Sequence, residues 1–127
     1  MELSISSFDG VRLVTQARLE PNVNVHGTAF AGSLYAIQAL TGWGMVHLQT
    51  RILAVNASIV IAHGNIDYAA PVKQDIVAVC EFSNLEEEVQ DLLKKRKARF
   101  NLSCSVTSDN ALACVFNGVY AVKNLDQ

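Results

Sequence analysis

Residues 23–48 have the sequence VNVHGTAFAGSLYAIQALTGWGMVHL, a stretch without Asp, Glu, Lys or Arg. Polar and small residues come first, and the apolar segment after them predicts one helix from Thr28 or Ala29 to about Arg51, about 33 Å long. A helix that is apolar on every face has to be surrounded by other parts of the protein. The loop before it places free backbone N–H groups at the positive end of a helix dipole. Such a place stabilises an oxygen that gains negative charge.

The rest of the chain predicts strands that could surround this helix. Apolar and polar residues alternate over 11–19, 57–68, 76–82, 98–107 and 111–122, as is typical of half-buried strands. Residues 85–95 predict a short amphipathic helix or a turn-rich excursion, and His63-Gly64-Asn65 indicates a bulge. A strand, a long helix and four more strands together predict an α+β fold, with an antiparallel sheet layered against one helix.

Length and charge restrict the class of protein. The 127 residues predict a single domain over 1–127, and a net charge of −2 without a basic stripe argues against nucleic acid and anionic membranes as partners. The only basic run, Lys94–Lys97, follows the acidic Glu86–Glu88, so a solvated face is expected there. A docking patch for an acidic carrier protein or a coenzyme phosphate is the alternative.

The cysteines indicate a reducing compartment. Cys80, Cys104 and Cys114 are odd in number, lack CxxC spacing and fall in predicted strands, so buried free thiols in a cytoplasmic protein are expected. No secretory signal is recognisable, and the polar residues of the uncharged stretch argue against a membrane span. His and Cys residues are scattered without ligand spacing, which predicts no metal and no cofactor.

Two segments resemble a known family. Asn24-x-His26-Gly27-Thr28-Ala29-Phe30-Ala31-Gly32-Ser33-Leu34 and, more weakly, Ile66–Val72 resemble the thioesterase family that forms the C-terminal half of some bacterial acetyltransferase fusions. The resemblance covers nearly the whole chain and implies the hotdog fold, in which a curved antiparallel sheet wraps around one long central helix. It also implies acyl thioesters of coenzyme A or acyl carrier protein as substrates. A homodimer or a dimer of dimers, with sites shared across the interface, is implied as well.

The candidate catalytic residues lie in the first of these segments. A thioester oxygen gains negative charge when water attacks the carbonyl carbon, so preorganised donors are needed beside it. The backbone N–H groups of residues 27–30 are the first candidates, and Gly27 would let the substrate approach closely. Asn24 and His26 would position water or polarise the carbonyl, unless Asn24 only forms a turn. Thr28 is expected either to cap the helix or to contact the substrate.

The candidate substrate-binding residues lie in two places. One group, near the predicted helix start, consists of Phe30, Gly32 and Ser33; the other, on the predicted strand 57–68, consists of His63, Asn65 and Tyr68. If the dimer is the usual hotdog one, the resemblance places that strand near the partner's helix start. An edge-of-sheet polar pair is the alternative for His63 and Asn65.

The predicted function is hydrolysis of an acyl thioester. Many hotdog thioesterases carry a carboxylate on the central helix, but this chain has no Asp or Glu between Glu20 and Asp67. Decarboxylation of a malonyl thioester needs only the oxyanion donors and an apolar pocket. Some relatives of the family resemble malonyl-carrier decarboxylases that supply acetyl primers for fatty-acid synthesis, so this reaction is the alternative. A non-catalytic hotdog module that binds acyl chains is the third possibility.

Overall fold

A six-stranded antiparallel sheet and one long helix dominate the computed structural model, which describes residues 1–126. The strands are β1 (Ser4–Phe8), β2 (Arg12–Ala17), β3 (Ala57–Tyr68), β4 (Ile76–Glu81), β5 (Lys97–Ser108) and β6 (Ala111–Asn124). The α-helices are α1 (Ala31–Ile52) and α2 (Glu86–Lys95), and a short 3-10 helix covers Glu20–Asn22. The strand order is β1-β2-β4-β5-β6-β3, so β1 and β3 are the sheet edges. Gln127, the last residue of the predicted domain, lies outside the described range.

The predicted α+β architecture is confirmed, with two differences. Strand β1 was not predicted, because it is an exposed edge strand in which apolar and polar residues do not alternate by burial. Helix α1 begins at Ala31 rather than at Thr28 or Ala29, since the preceding residues form a closed loop. The irregularity in β3 falls between Ile61 and His63, at the start of the predicted bulge. Residues 86–95 are helical, which settles the choice between a short helix and an excursion.

The sheet curves around α1, which contacts β2, β3, β4, β5 and β6. Its buried apolar side chains meet the inner face of the sheet, and the largest fully buried members of this core include Ile37, Met45, Phe116 and Tyr120. One face of the helix stays open in the single chain, where Leu40 is 45% and Trp43 is 39% exposed. Neither α1 nor α2, the α-helices of the described range, is long and apolar enough to cross a membrane.

The closest approach of α1 to the sheet occurs at Gly42. A Cβ atom at this position would overlap the hydroxyl group of Tyr120, whose Oη donates a hydrogen bond of 2.7 Å to the carbonyl oxygen of Ala39. The missing side chain therefore lets a fully buried tyrosine bond to the helix backbone. Gly44, two residues later, is different, because a Cβ there would lie 3.5 Å from Leu13 Cδ2, an ordinary contact.

The three cysteines are free and buried, as predicted. Cys80 and Cys104 lie directly opposite each other on β4 and β5. A hydrogen bond with Cys80 and burial both raise the pKa of the Cys104 thiol, and burial raises the pKa of Cys114. A nucleophilic cysteine needs a lowered pKa and access to solvent, so Cys104 and Cys114 are unsuited to that role.

The buried Thr15–Thr41 pair and the buried side chain of Gln38 differ in whether all of their polar atoms have hydrogen-bond partners. Thr15 Oγ1 and Thr41 Oγ1 are 2.7 Å apart, and the Thr41 hydroxyl donates to the carbonyl oxygen of Ile37. Gln38 Nε2 donates to the carbonyl oxygen of Leu34 and to Cys114 Sγ, but Gln38 Oε1 is buried without a partner in the described residues. An unsatisfied buried acceptor costs stability, whereas the threonine pair does not carry that penalty.

We expect Gln38→Met to raise the free energy of unfolding by about 1 kcal/mol, because it removes the unpaired oxygen and keeps a side chain of similar volume. Urea denaturation followed by circular dichroism measures the change. Thr41→Val is the matched control on the same helix. It leaves the Thr15 hydroxyl without its acceptor and should lower stability by a similar amount. A loss of stability in Gln38→Met would contradict the prediction.

Candidate functional site

The loop before α1 is closed by the side chain of Asn24. Its Oδ1 accepts the backbone N–H of His26 at 2.9 Å and of Thr28 at 3.1 Å. The backbone closes the same turn, since Asn24 N–H donates to the Thr28 carbonyl oxygen and Gly27 N–H to that of Asn24. Gly27 has a φ of 77°, a left-handed conformation that favours glycine. The oxygen of the Asn24 side chain therefore forms the turn that was one of the two interpretations of this residue from the sequence.

The end of this loop is attached by hydrogen bonds to two residues outside it. Ala29 N–H donates to the carbonyl oxygen of Val72 at 2.8 Å, and Phe30 N–H donates to that of Asn22 at 2.6 Å. With the two bonds inside the turn, all four N–H groups of residues 27–30 have acceptors within the protein. They are not available to a substrate, in contrast to the expectation from the sequence. Thr28 is not the helix cap either, because Phe30 occupies that position without a side-chain capping bond.

The unpaired N–H donors belong to the residues that follow this loop in the chain, in the first turn of α1. The N–H groups of Ala31, Gly32 and Ser33 donate to no acceptor within residues 1–126. This turn contains no acidic residue, so the positive end of the helix dipole is not neutralised there. The sequence missed Ala31 because the helix start was placed two or three residues too early. The position of Ala31 in an apolar run gave no signal of its own.

Two side chains in the loop before this turn carry further donors. Asn24 Nδ2 donates to Thr28 Oγ1 at 2.9 Å, which uses one of its two protons. The hydroxyl proton of Thr28 donates to no acceptor within the described residues. One amide proton of Asn24 and the hydroxyl proton of Thr28 are therefore free to bind a ligand. The side chain of His26, two residues after Asn24, is exposed to solvent.

Three further candidates meet at the same end of α1. An added Cβ atom on Gly32 would lie 2.5 Å from Phe30 Cε2, so the Phe30 ring, which is 55% exposed, covers the glycine. Tyr68 Oη donates to the carbonyl oxygen of Ala31 at 2.8 Å. Burial raises the pKa of the Tyr68 hydroxyl, which therefore stays protonated at neutral pH. Phe30, Gly32 and Tyr68 thus share one location with Ser33.

His63 and Asn65 lie elsewhere in the chain. Both line a shallow depression on the outer face of the sheet, together with Asn101, Ser103 and Asn117. Gly64 between them faces α1, where a Cβ atom would meet Tyr35 Oη. Within one chain the structure does not bring His63 and Asn65 to the start of α1.

Acidic and metal-binding groups are scarce around the site. Asp67 lies between Ile66 and Tyr68, which face the interior and α1, so strand alternation directs its exposed side chain outward. Among residues 1–126, no three His, Cys, Asp or Glu side chains lie close enough together to hold a metal ion. The first turn of α1 thus offers neutral backbone hydrogen-bond donors.

Comparison with known proteins agrees with this architecture. The model of the family described as "Putative thioesterase (yiiD_Cterm)" matches residues 1–124. A solved structure of a protein of unknown function from Chlorobaculum tepidum has 35% identity and a TM-score of 0.93, covering 98% of this chain and 83% of that one. A putative thioesterase from Shewanella oneidensis has 38% identity and a TM-score of 0.88, covering 95% of this chain and 83% of that one.

A more distant thioesterase, from Haemophilus influenzae, shares 18% identity at a TM-score of 0.77, over 98% of this chain and 80% of that one. At such low identity the likeness shows the fold alone. The match over 124 residues, by contrast, shows the family. The chain therefore belongs to the yiiD_Cterm thioesterase family and has its hotdog fold.

Proposed function

We propose that the protein hydrolyses acyl thioesters of coenzyme A or acyl carrier protein at the start of α1. The observation that carries the proposal is the row of unpaired N–H groups at Ala31, Gly32 and Ser33, together with the free protons of Asn24 and Thr28 in the loop before the helix. Membership of a thioesterase family supports the choice of a thioester as substrate. The free, buried thiols fit a cytoplasmic location, which we include in the proposal.

In this proposal the donors stabilise the oxygen on which charge develops. Water attacks the carbonyl carbon, and the carbonyl oxygen becomes an oxyanion. The N–H groups of the first turn bind this oxyanion, and each lowers the activation barrier by about 3 kcal/mol. The exposed imidazole of His26 accepts the proton of the attacking water and returns it to the departing thiolate. The products are a carboxylic acid and the free thiol of the carrier.

One observation favours a second candidate, decarboxylation of a malonyl thioester. No carboxylate lies on α1 or in the loop before it, and Asp67 points to the outer face of the sheet. Loss of carbon dioxide leaves an enolate whose oxygen the same donors would hold, and protonation of its carbon gives the acetyl thioester. No general base is needed for this reaction.

Intact mass spectrometry of carrier proteins separates these reactions. We would incubate the protein with malonyl-acyl carrier protein and, in parallel, with a saturated acyl-acyl carrier protein. A bare carrier thiol supports hydrolysis, and an acetyl carrier supports decarboxylation. If both masses stay unchanged, the corresponding coenzyme A esters are tested. Unchanged esters in that assay would leave a non-catalytic acyl-binding module as the function.

We also propose that two copies of the chain pair along β3. This strand has 12 residues, pairs only with β6 in the described range, and has no Asp, Glu, Lys or Arg from Ala57 to Ile66. Natural edge strands normally carry charges, proline or a cover that prevents pairing. Its exposed Val60 and Ile61, and Trp43, whose Nε1 donates to the carbonyl oxygen of Ile59, give this edge an apolar surface. A two-fold axis at the edge would join both sheets into one.

We expect the double substitution Val60→Lys and Ile61→Lys to convert the dimer to a monomer, because lysine at an edge strand opposes pairing. Sedimentation velocity measures the change in mass. Leu112→Lys is the control, since Leu112 is 51% exposed but lies on β6 opposite Thr107, away from β3. A wild-type protein that sediments as a monomer would overturn the proposed dimer.

A further inference from the structure

Six of the ten Lys and Arg residues of the chain lie at one end of the sheet, and we call them the basic cluster: Lys94, Lys95 and Arg96 at the end of α2, Lys97 and Arg99 at the start of β5, and Lys123 near the end of β6. Lys97 and Lys123 are directly opposite each other, and Arg99 shares their face of the sheet. Ala98 and Val122, which alternate with them, pack in the core, so this face is the outer one.

The charges of the cluster are mostly not neutralised within the protein. Lys95 Nζ lies 3.4 Å from Asp91 Oδ1, but the other five residues form no ion pair with an acidic side chain of residues 1–126. The acidic residues Glu86–Glu88 begin α2, about 15 Å from its basic end. Like charges directly opposite each other, such as Lys97 and Lys123, destabilise a sheet. The cluster therefore does not serve the stability of the fold, which indicates an anionic partner.

The form of the cluster favours a protein over a small molecule as this partner. All six side chains are exposed, whereas small-molecule sites are concave and bury most of the ligand. The charges are also spread over the end of α2 and the outer face of two strands. Of the two carriers named above, an acyl carrier protein with an acidic surface fits this arrangement better than coenzyme A, because complementary charge over a broad surface steers protein association.

Within one chain the cluster is far from the unpaired donors. Helix α1 has 22 residues and is about 33 Å long, and the donors are in its first turn. The cluster lies at the end of the sheet where β3 begins, since Lys123 pairs with Ser58. A carrier bound to the cluster would therefore have to deliver its thioester along the whole length of the helix.

The proposed dimer shortens this distance. A two-fold axis that keeps both α1 helices on one face of the joined sheet makes the two β3 strands antiparallel. With the pairing centred on β3, the start of the partner subunit's β3 lies beside Tyr68, which bonds to the carbonyl oxygen of Ala31 at the donors. The partner subunit's β6 and β5 are then about 10 and 15 Å from Tyr68, at one strand spacing each. The cluster of one subunit thus comes to the donors of the other.

We propose that the basic cluster of one subunit docks the acidic surface of an acyl carrier protein, whose thioester reacts at the donors of the other subunit. The inference rests on the proposed hydrolysis and the proposed dimer, and it adds the carrier that delivers the substrate. Docking and reaction are separate roles: the cluster binds the carrier protein, and the donors act on the carbonyl oxygen.

The first test compares butyryl-acyl carrier protein with butyryl-coenzyme A. Arg99→Glu should lower kcat/KM for the carrier thioester about tenfold and change that for the coenzyme A ester less than about twofold. Arg12→Glu is the matched control, because Arg12 is also exposed but lies on β2, outside the cluster. It should leave both values near those of the wild type. Equal losses for the two esters in Arg99→Glu, or no loss for the carrier thioester, would overturn the docking surface.

Lys97→Glu is a second variant for the case that Arg99→Glu does not fold. Its carboxylate is placed directly opposite Lys123, so it replaces a repulsive cross-strand pair by an attractive one. We expect its melting temperature to equal or exceed that of the wild type, while kcat/KM for the carrier thioester falls as in Arg99→Glu. Unchanged carrier kinetics in this folded variant would contradict the proposal.

Mixed dimers test whether the cluster acts on the other subunit. Arg99→Glu keeps its donors, and Asn24→Asp keeps its cluster, so a dimer of one copy of each contains one complete site only if docking and reaction occur on different subunits. Mixing the two variants should therefore restore carrier-thioester activity above that of either variant alone. Absence of this recovery, with mixed dimers demonstrated by native mass spectrometry, would overturn the arrangement across the interface.

Binding of fluorescently labelled holo-acyl carrier protein, measured by anisotropy, separates docking from the reaction. If no thioester is turned over but the carrier binds the wild type about tenfold more tightly than Arg99→Glu, docking stands and the proposed hydrolysis fails. If coenzyme A esters are hydrolysed but the carrier binds both proteins equally, or neither, hydrolysis stands and docking fails. Displacement of the carrier by an equal concentration of free coenzyme A would assign the cluster to phosphate groups and also overturn the proposal.

Discussion

Asn24→Asp is expected to leave the fold intact and to lower kcat about 100-fold or more. Aspartate keeps the oxygen that accepts the N–H groups of His26 and Thr28, so the turn before α1 is retained. It replaces the amide nitrogen by a second oxygen, which draws the Thr28 hydroxyl proton toward itself. In the proposed site both side-chain donors to the thioester oxygen would be lost, and a negative charge would be placed near the developing oxyanion.

The measurements are kcat with the best thioester and the melting temperature by circular dichroism. Asn22→Asp is the matched control, because the side chain of Asn22 is buried and only donates to the carbonyl oxygens of Met1 and Arg18. It should lower the melting temperature and leave the kcat of the folded protein near that of the wild type. A wild-type kcat in Asn24→Asp would remove the Asn24 amide from the reaction.

Gly42→Ala is expected to lower the free energy of unfolding by about 3 kcal/mol, the upper end of what overpacking a core costs. The new methyl group overlaps the hydroxyl group of Tyr120, which sits against the helix backbone and is fully buried. Its displacement also breaks the hydrogen bond to the carbonyl oxygen of Ala39. The helix cannot move away without opening its contact with the sheet.

Gly44→Ala is the control on the same helix. It makes the same chemical change, but its expected effect on the free energy of unfolding has the opposite sign. Its methyl group meets only Leu13 at an ordinary distance, so the better helix propensity of alanine should raise stability by up to about 1 kcal/mol. Urea unfolding followed by circular dichroism compares the two variants. Equal effects would show that helix propensity, rather than the contact with Tyr120, governs both positions.

The sequence predicted the architecture better than the site. The uncharged segment and the alternation over 57–68 depend on local patterns, and both elements are found at or close to the predicted bounds. Which N–H groups are free depends on Val72 and Asn22, whose carbonyl oxygens reach the loop only in the folded chain. The alternation at an edge strand is also ambiguous, because both of its faces expose side chains. For this reason His63 and Asn65 were grouped with Tyr68 although they face the other way.

Asn24 Oδ1 accepts two backbone hydrogen bonds, and this has a consequence for the energetics of the site. With two backbone N–H groups on its oxygen, the amide cannot exchange its two ends without losing both bonds, so its nitrogen always faces Thr28. The threonine oxygen must accept from that nitrogen, and its proton is directed elsewhere. The local dipoles are thus oriented in the free protein, so the proposed reaction would need little reorganisation of these groups when charge appears on the substrate oxygen.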